Sequence, residues 1–149
     1  MQLTVYLSGE IHTDWREVII KKTEEMGLDI QFQYPILNHK LSDDCGVKLL
    51  GPEDKKFWHD HKGAKLNALR THNAIKKSDI VVVRFGEKYK QWNAAFDAGF
   101  AIASGIPLIV IHEDEHQHAL KEVDALALIV LTDPQKVAKA LNYVVNGQL

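Results

Sequence analysis

The chain has 149 residues, of which 46% are hydrophobic and 26% charged, a composition ordinary for one soluble globular domain with a sizeable core. Eighteen Lys and Arg against twenty Asp and Glu give a net charge of -2 without a basic block, so we expect no nucleic-acid partner. No apolar run is long enough to cross a bilayer and none follows a charged leader, so we expect a cytoplasmic protein without membrane contact. The single cysteine, Cys45, excludes an internal disulfide and a zinc site of several thiolates.

The first third of the chain predicts a strand, a helix and a second strand. The run "LTVYLSG" is β-rich and stops at Ser8-Gly9. Apolar residues then recur at helical spacing between Asp14, which suits an N-cap, and Gly27, which suits a C-terminal cap. The run "DIQFQYP" predicts the second strand, which Pro35 closes.

The middle of the chain predicts a loop followed by helix. Residues 36–51 hold Asn, Ser, Asp and Gly without a period, which indicates an irregular surface loop. Pro52 suits the first turn of a helix, and the spacing from there to Asp79 is mostly helical. Glycine has a low helix propensity, so we expect Gly63 to divide this helix into two pieces.

Three apolar runs in the second half of the chain predict parallel strands that are buried on both faces. They are rich in β-branched residues and do not alternate with polar ones, and they read "DIVVVRF", "IPLIVIH" and "LALIVLT". The apolar helix "WNAAFDAGFAIASG" separates the first two runs. An amphipathic helix follows the third, with Asp133 at its cap and Pro134 at its first position.

Five strands that alternate with helices indicate a single α/β domain over residues 1–149, a flavodoxin-like three-layer sandwich whose parallel sheet has the order 2-1-3-4-5. In such a sheet, ligands bind beyond the carboxyl ends of the strands, at the point where the strand order reverses. That point lies between the first and third strands. We therefore expect the turn at residues 8–16 and the loop at residues 86–93 to face one crevice.

Asp97 is the one carboxylate in the apolar helix that follows this loop. Taking an isolated carboxylate out of water costs several kcal/mol unless partners compensate, so Asp97 either points outward or has a use. If Asn93 is the N-cap, the helix dipole favours the ionised form, and that interaction alone would explain the residue. The alternative is a role in the crevice, because perturbed groups concentrate in clefts.

The turn after the first strand offers carboxylates, an imidazole and a guanidinium in one short segment. These groups belong to Glu10, His12, Asp14 and Arg16. Their density suits the recognition of a polar small molecule, since loops at the strand-order reversal are where sites form. The plainer alternative is ordinary capping by Asp14 and solvated ends for the others.

The segment "HEDEH", residues 112–116, formally matches the HExxH zinc pattern. It begins at the end of a predicted strand rather than inside a helix, and the downstream ligand of the longer zinc motifs is absent. We expect no metal site, and a metal-dependent hydrolase using His112, His116 and His118 is the weakest alternative. No P-loop or GxGxxG pattern occurs, so we also expect no cofactor.

The segments "YLSGEIHTDWRE" and "RFGEKYKQWNAAFDAGFAIASGIPLIV" resemble the nucleoside 2-deoxyribosyltransferase superfamily, and more closely its YtoQ-type branch, over nearly the whole chain. In the transferases the helix reads approximately D-x-G-T/S-A-F/W-E-x-G-x-A, and its Glu is the nucleophile. Asp97 falls on that Glu, and Phe96, Gly99 and Ala101 match the residues around it. Tyr6 matches the tyrosine that contacts the nucleophilic carboxylate in the family.

Three departures from the family pattern stand out. Gln91 replaces the acidic residue that helps to bind or protonate the base, and Asn93-Ala94 replaces the Gly-Thr/Ser pair. Asp97 in place of Glu shortens the reach of the carboxylate by one carbon–carbon bond, roughly 1.5 Å. These departures motivate an alternative function, a non-catalytic nucleotide-binding module that keeps the crevice.

The resemblance implies a retaining double displacement on a nucleoside, nucleotide or related sugar conjugate. Asp97 attacks the anomeric carbon as the base departs, and a second base or water resolves the glycosyl-enzyme. Because Gln91 cannot protonate a base, Glu10 or His12 from the facing turn is the expected acid.

The same resemblance suggests how the substrate is held. Arg16 could meet a phosphate or carboxylate, and Trp15 or Trp92 could stack on a base ring. The expected substrate-binding residues are Ser8, Gly9, Asp14, Trp15, Arg16, Gln91, Trp92 and Asn93. Family members complete the active site across subunits, so the resemblance also implies a homo-oligomer, at least a dimer.

Overall fold

A computed structural model describes residues 2–88 and 91–148. A short 3₁₀ turn, Asp114–His116, follows the fourth strand. The strands and α-helices are β1 (Leu3–Gly9), α1 (Trp15–Glu25), β2 (Ile30–Gln33), α2 (His39–Leu50), α3 (Lys56–Lys76), β3 (Ile80–Arg84), α4 (Trp92–Ala103), β4 (Leu108–Ile111), α5 (Lys121–Asp124), β5 (Ile129–Leu131) and α6 (Pro134–Asn146).

The five strands form one parallel sheet in the order β2-β1-β3-β4-β5, which confirms the predicted topology. In the register between β1 and β3, Tyr6 lies opposite Val81 and Gly9 opposite Arg84. The connection after β1 leads to β2 on one side of the sheet, and the connection after β3 leads to β4 on the other, so the carboxyl ends of β1 and β3 flank the point where the order reverses.

Successive side chains of β1 point to opposite faces of the sheet and belong to two separate parts of the core. Leu3, Val5 and Leu7 pack in a cluster that includes residues of α1 and α6. Tyr6 packs in a second cluster, formed with residues of α3 and α4. Since successive side chains of a strand point to opposite faces, Ser8 lies on the same face as Tyr6, which is the face that α4 covers.

The predicted loop at residues 36–51 was wrong over most of its length, because α2 occupies His39–Leu50. The side chain of Asn38 caps this helix by accepting a hydrogen bond from the Leu41 N–H at 3.0 Å. Its apolar pattern is weak because α2 packs against another helix, α3, and not on the sheet. Tertiary packing therefore stabilises a helix that the periodicity did not indicate.

Gly63 does not break α3, which is continuous from Lys56 to Lys76 and starts after Pro52. A Cβ atom at Gly63 would lie 2.7 Å from the carbonyl oxygen of Asp43, and one at Gly46 would lie 2.4 Å from the Gly63 nitrogen. The two glycines allow the backbones of α2 and α3 to approach closely, and this contact offsets the low helix propensity of glycine.

The third apolar run was predicted to be buried on both faces, and the structure contradicts this. Ile129 is 37% and Val130 42% exposed, because β5 is the outermost strand and no strand of residues 2–88 and 91–148 pairs with its far edge. The cap of the following helix is as predicted. Asp133 accepts a hydrogen bond from the Gln135 N–H at 2.8 Å, and Pro134 occupies the first turn of α6.

Two other predicted caps differ from the structure. Asp14 precedes α1, but its side chain makes no capping hydrogen bond. Gln91, and not Asn93, is the N-cap residue of α4, which begins at Trp92. Asp97 therefore lies beyond the first turn of α4, where the helix dipole has little influence on a carboxylate.

Within the part of the chain that the structure describes, the helices are all too short or too polar to traverse a lipid bilayer.

Candidate functional site

A crevice of about 1090 Å³ opens at the carboxyl end of β1, on the α3–α4 face of the sheet. This volume is slightly above the usual range for small-molecule sites, roughly 300–1,000 Å³. The turn after β1, the outer residues of α2, one side of α3 and the start of α4 form its walls. The predicted site residues that line it are Ser8, Gly9, Glu10, His12, Gln91, Trp92, Asn93 and Asp97.

Asp97 lies in this crevice and is held by Ser8. The Ser8 hydroxyl donates a hydrogen bond to Asp97 Oδ2 at 2.5 Å, and Ser8 is buried while Asp97 is half-buried. Burial raises the pKa of Asp97, and the hydrogen bond from Ser8 and the charge of His72 lower it by less, so the pKa remains above its ordinary value. A carboxylate with a perturbed pKa in a large cleft is a strong candidate for a reacting group.

Tyr6 was expected within hydrogen-bond reach of Asp97, and this expectation was wrong. The Tyr6 hydroxyl shares a hydrogen bond of 3.2 Å with Thr71 Oγ1 on α3. The ring is fully buried, and burial is the main cause that raises the pKa of its phenol, with a smaller contribution from the charge of Asp97. Ser8 makes the contact predicted for Tyr6, because it lies two residues closer to the carboxyl end of β1.

Glu10, one of the two residues predicted to act as the acid, is engaged within its own turn. Its carboxylate accepts hydrogen bonds from the N–H groups of His12 and Thr13 and from the Thr13 hydroxyl, and it lies 3.4 Å from Arg84 Nε. Burial alone would raise the pKa of Glu10, but the hydrogen bonds and Arg84 outweigh it and lower that pKa below its ordinary value. Glu10 therefore stays ionised and holds the turn together, although it also lines the crevice.

Arg16, Trp15 and Asp14, which were predicted to bind the substrate, do not line the crevice that contains Asp97. Arg16 is buried and donates hydrogen bonds to three carbonyl oxygens of the β1 turn, those of Leu7, Gly9 and Glu10. Burial lowers its pKa to about 10, so the guanidinium remains charged at neutral pH. The Trp15 indole N–H donates to the Glu10 carbonyl oxygen at 3.0 Å.

Asp14 and Trp15 line a smaller cavity of about 380 Å³, which is distinct from the crevice that contains Asp97. Strand alternation and the packing of α1 on the opposite face of the sheet separate these residues from Asp97. Asp14, Trp15 and Arg16 therefore lie outside the lining of the crevice that contains Asp97, and their contact with a substrate stays a prediction.

Gln91 joins the two ends of the loop before α4. Its side-chain oxygen accepts from the Gly86 N–H at 2.8 Å, and its side-chain nitrogen donates to the Lys88 carbonyl oxygen at 2.9 Å. Residues 89 and 90 of the predicted crevice loop lie outside the described residues. Trp92 is 74% and Phe96 60% exposed at the rim of the crevice, where Asn93 also lies.

Sequence reasoning missed the wall that α2 and α3 contribute. Asn67, Arg70, Thr71 and His72 of α3 line the crevice, together with residues of α2. A signal was present, because polar residues recur at helical spacing along one side of α3. Periodicity cannot show that this side of the helix faces a site and not bulk solvent.

The HExxH segment is not helical at its first histidine, which follows β4. His112 Nδ1 lies 2.8 Å from the Glu113 carbonyl oxygen, and His112 Nε2 lies 3.0 Å from a carboxylate oxygen of Asp124. Both ring nitrogens thus have protein partners. Among residues 2–88 and 91–148, no group of three His, Cys, Asp or Glu side chains could hold a metal ion.

Comparisons with known proteins give a family and a fold. The model of the family described as nucleoside 2-deoxyribosyltransferase YtoQ matches residues 6–145. The protein YtoQ of Bacillus subtilis (strain 168) is 43% identical over 143 residues, which cover 96% of this chain and 97% of that protein.

Two solved structures share the architecture. One is a 2-deoxyribosyltransferase from Bacillus psychrosaccharolyticus, with a TM-score of 0.55, 14% identity and coverage of 91% of this chain and 90% of that one. The other is a de novo designed Rossmann 2x3 fold protein, with a TM-score of 0.51, 17% identity and coverage of 99% and 92%. At these identities the two structures show the fold alone. From the family-model match and the similarity to YtoQ over nearly the whole chain, we conclude that this protein belongs to the nucleoside 2-deoxyribosyltransferase YtoQ family.

Proposed function

We propose that the protein cleaves or transfers the N-glycosidic bond of a nucleoside, nucleotide or related sugar conjugate, with Asp97 as the nucleophile. The observation that carries this proposal is the position of Asp97, whose carboxylate is bound by the buried Ser8 hydroxyl and lines a crevice large enough for such a ligand. The family and the fold neighbour described as a 2-deoxyribosyltransferase support the same chemistry.

In the proposed reaction, Ser8 binds Asp97 Oδ2 and thereby orients the second carboxylate oxygen for attack on the anomeric carbon. The bond that forms is an ester between Asp97 and the sugar, and the base leaves with the electrons of the glycosidic bond. Water or a second base then attacks the same carbon and releases Asp97 with retention of configuration. Because aspartate is shorter than glutamate, the sugar must bind closer to α4 than a glutamate nucleophile would require.

The crevice offers distinct surfaces for the two parts of a nucleoside. Trp92 and Phe96 present exposed aromatic rings at the rim, where a base could stack. Asn67 and Thr71 line the α3 wall, and although Asn67 Nδ2 donates to Ser42 and Thr71 Oγ1 shares a hydrogen bond with Tyr6, the remaining lone pairs of their side-chain oxygens suit sugar hydroxyls. A small-molecule nucleoside or nucleotide is therefore the proposed partner.

A homo-oligomer, at least a dimer, is part of the proposal. Trp92 and Phe96, which line the crevice, are 74% and 60% exposed, and large apolar side chains exposed beside a site are typical of surfaces that pack against another chain. Analytical ultracentrifugation at several concentrations measures the assembly state. A monomer at all concentrations would contradict this part of the proposal.

The experiment that tests the reaction is incubation of the protein with pooled nucleosides, 2′-deoxynucleosides and their monophosphates. Chromatography detects a released base, and intact-protein mass spectrometry detects a sugar adduct. We expect base release by the wild type and none by Asp97→Ala. Base release that is unchanged in Asp97→Ala and Asp97→Asn would refute the nucleophile.

A second candidate function is a nucleotide-binding module without catalysis. It is favoured by Gln91, which stands in place of an acidic residue and whose side chain is engaged in its own loop. This function predicts saturable binding of a nucleotide by calorimetry and no chemical change on prolonged incubation. Base release that depends on Asp97 would exclude it.

A further inference from the structure

Three imidazoles line the crevice, those of His12, His39 and His72. We propose that His72 donates a proton to the departing base, and that it is therefore a catalytic residue. The inference rests on the proposed function and names the acid that the function requires. Sequence reasoning had assigned this role to Glu10 or His12.

Aromatic contacts hold the His72 ring on the α4 side of the crevice. Its ring stacks on that of Phe100, with centroids 4.2 Å apart and an interplanar angle of 21°. The centroid of Phe96 lies 5.6 Å away. Both rings belong to α4, on either side of Asp97 in the sequence. The imidazole is thus held against the helix that carries the nucleophile, and a fixed orientation favours proton transfer.

His72 also interacts electrostatically with Asp97, the proposed nucleophile. The positive form of His72 acts on Asp97 and lowers the pKa of that carboxyl, against the larger effect of burial. The first step needs a protonated imidazole, which donates a proton to the base, and an ionised carboxylate, which attacks the sugar. Two other cations lie on α3, since Lys76 Nζ is 5.8 Å from the centroid of Phe100, the ring on which His72 stacks, and Arg70 lines the same crevice as His72.

The other groups considered for this role are placed less well. The Glu10 carboxylate is ionised and engaged with Thr13 and Arg84. His39 Nδ1 lies 3.0 Å from an Asp43 carboxylate oxygen on the outer wall of the crevice, on α2. His12 lies in the turn after β1 and is exposed, so it is the relevant competitor. A direct comparison of His72 and His12 therefore tests the proposal.

The proposed steps balance in atoms and charge. A carboxylate oxygen of Asp97 bonds to the anomeric carbon, the C–N bond breaks, and its electron pair passes to the base, which takes the proton from the His72 imidazolium. In the second step, the neutral imidazole accepts a proton from the attacking water or from the N–H of a second base. The ester bond then breaks, its electron pair returns to Asp97, and both groups regain their starting forms.

Substrates whose leaving group departs without a proton separate proton donation by His72 from the rest of the reaction. Inosine and uridine, with their 2′-deoxy forms, need protonation of the base, whereas pyridinium riboside and pyridinium 2-deoxyriboside release neutral pyridine without one. We expect His72→Gln to slow base release from the nucleosides by about 10²–10⁴-fold. Release of pyridine should change by less than about tenfold.

Three variants control this comparison. His72→Phe keeps a ring that can stack on Phe100 but has no proton to give, so it should fold like the wild type and lose turnover of the nucleosides. His61→Gln alters another histidine of α3 that stacks on a phenylalanine, Phe57, but does not line the crevice, so it should leave turnover unchanged. His12→Gln should slow both kinds of substrate to a similar, smaller extent.

The outcomes distinguish a failure of the His72 proposal from a failure of the proposed function. Turnover retained by His72→Phe would show a stacking role and overturn the proposal. Equal slowing of nucleosides and pyridinium glycosides by His72→Gln would also overturn it, as would a loss specific to nucleosides in His12→Gln. If the wild type releases neither bases nor pyridine, the proposed function itself fails. If both are released and depend on Asp97, the function stands whichever histidine donates the proton.

Discussion

The Ser8 hydroxyl donates a hydrogen bond of 2.5 Å to Asp97 Oδ2 and so connects the end of β1 to α4. Ser8 is buried at the floor of the crevice, and Asp97 is half-buried above it. Hydrogen bonds to a charged acceptor are short and strong, so this pair holds the carboxylate in one orientation. The electrostatics of the site depend on it, because burial raises the pKa of Asp97 and this bond opposes the change.

Replacing Asp97 by Asn should abolish the reaction and stabilise the fold at neutral pH. The pKa of Asp97 in the folded state is raised from an ordinary value of 3.8. The stability that the protonated Asp97 carboxyl contributes is therefore fully present below pH 3.8 and is lost as the pH rises through the pKa of the folded state. At pH 7 the ionised carboxylate costs stability, and Asn removes that cost.

Thermal unfolding at pH 7 and pH 4 measures this effect. We expect Asp97→Asn to raise the midpoint at pH 7, to raise it less at pH 4, and to lower turnover by at least about 10³-fold. Asp54→Asn, which removes an exposed carboxylate, is the control and should change neither. A lower midpoint at pH 7 for Asp97→Asn would show that the ionised carboxylate stabilises the fold.

Ser8→Ala should shift the pH dependence of the reaction. Without the hydrogen bond that opposes burial, the pKa of Asp97 rises further, so the acid limb of kcat/KM should move to higher pH. Loss of orientation should also lower the maximum by about 10²-fold.

Ser78→Ala is the matched control for Ser8→Ala. It removes another buried hydroxyl, which donates to the Ala74 carbonyl oxygen away from the crevice, and it should change stability without moving the acid limb. An acid limb that stays in place in Ser8→Ala would mean that the titrating group is not Asp97.

Glu10→Gln should destabilise the fold at neutral pH by roughly 3 kcal/mol, because Arg84 loses its nearest carboxylate and the turn loses charge-assisted hydrogen bonds. The pKa of Glu10 is lowered from 4.5, so its contribution is present above pH 4.5 and is lost as the pH falls through the folded pKa. The difference between wild type and variant should therefore shrink in acid.

Urea unfolding at pH 7 and pH 3.5 gives that comparison. Glu17→Gln, an exposed change in α1, should be nearly neutral at both values. If Glu10→Gln removed the basic limb of the pH–rate profile while the protein stayed folded, Glu10 would be the acid after all.

Gly9→Ala should be poorly tolerated. Gly9 has a φ of +112°, and a Cβ atom there would lie 2.0 Å from the Arg84 carbonyl oxygen. We expect a loss of at least about 3 kcal/mol from strain and displacement of β3. Gly27 also has a positive φ, +69°, but has no atom within 4 Å of the added Cβ, so Gly27→Ala should cost only about 1 kcal/mol. Equal losses in the two variants would show that backbone conformation alone matters at Gly9.

Local sequence patterns were sufficient to predict most strands of the sheet. The runs that became β3 and β4 are apolar and β-branched because parallel strands between two helical layers have no solvated face, and both are buried as predicted. The same pattern wrongly predicted that β5 is buried on both faces. The position of a strand in the sheet, and not its composition, decides whether its faces are covered. The helix α2 was missed for a related reason, since its packing on α3 depends on the approach of Gly46 to Gly63.

By itself, the sequence determined the alternation of strands and helices, the order of the sheet and the presence of Asp97 and the β1 turn at one crevice, because these follow from hydrophobic pattern and chain topology. Tertiary structure alone decided how each polar group is used. It placed Ser8 and not Tyr6 on Asp97, engaged Arg16 and Glu10 within the turn, and brought His72 of α3 near enough to Asp97 for its charge to act on that carboxyl. Hydrogen-bond partners and burial depend on contacts between residues distant in the chain, and periodicity carries no information about them.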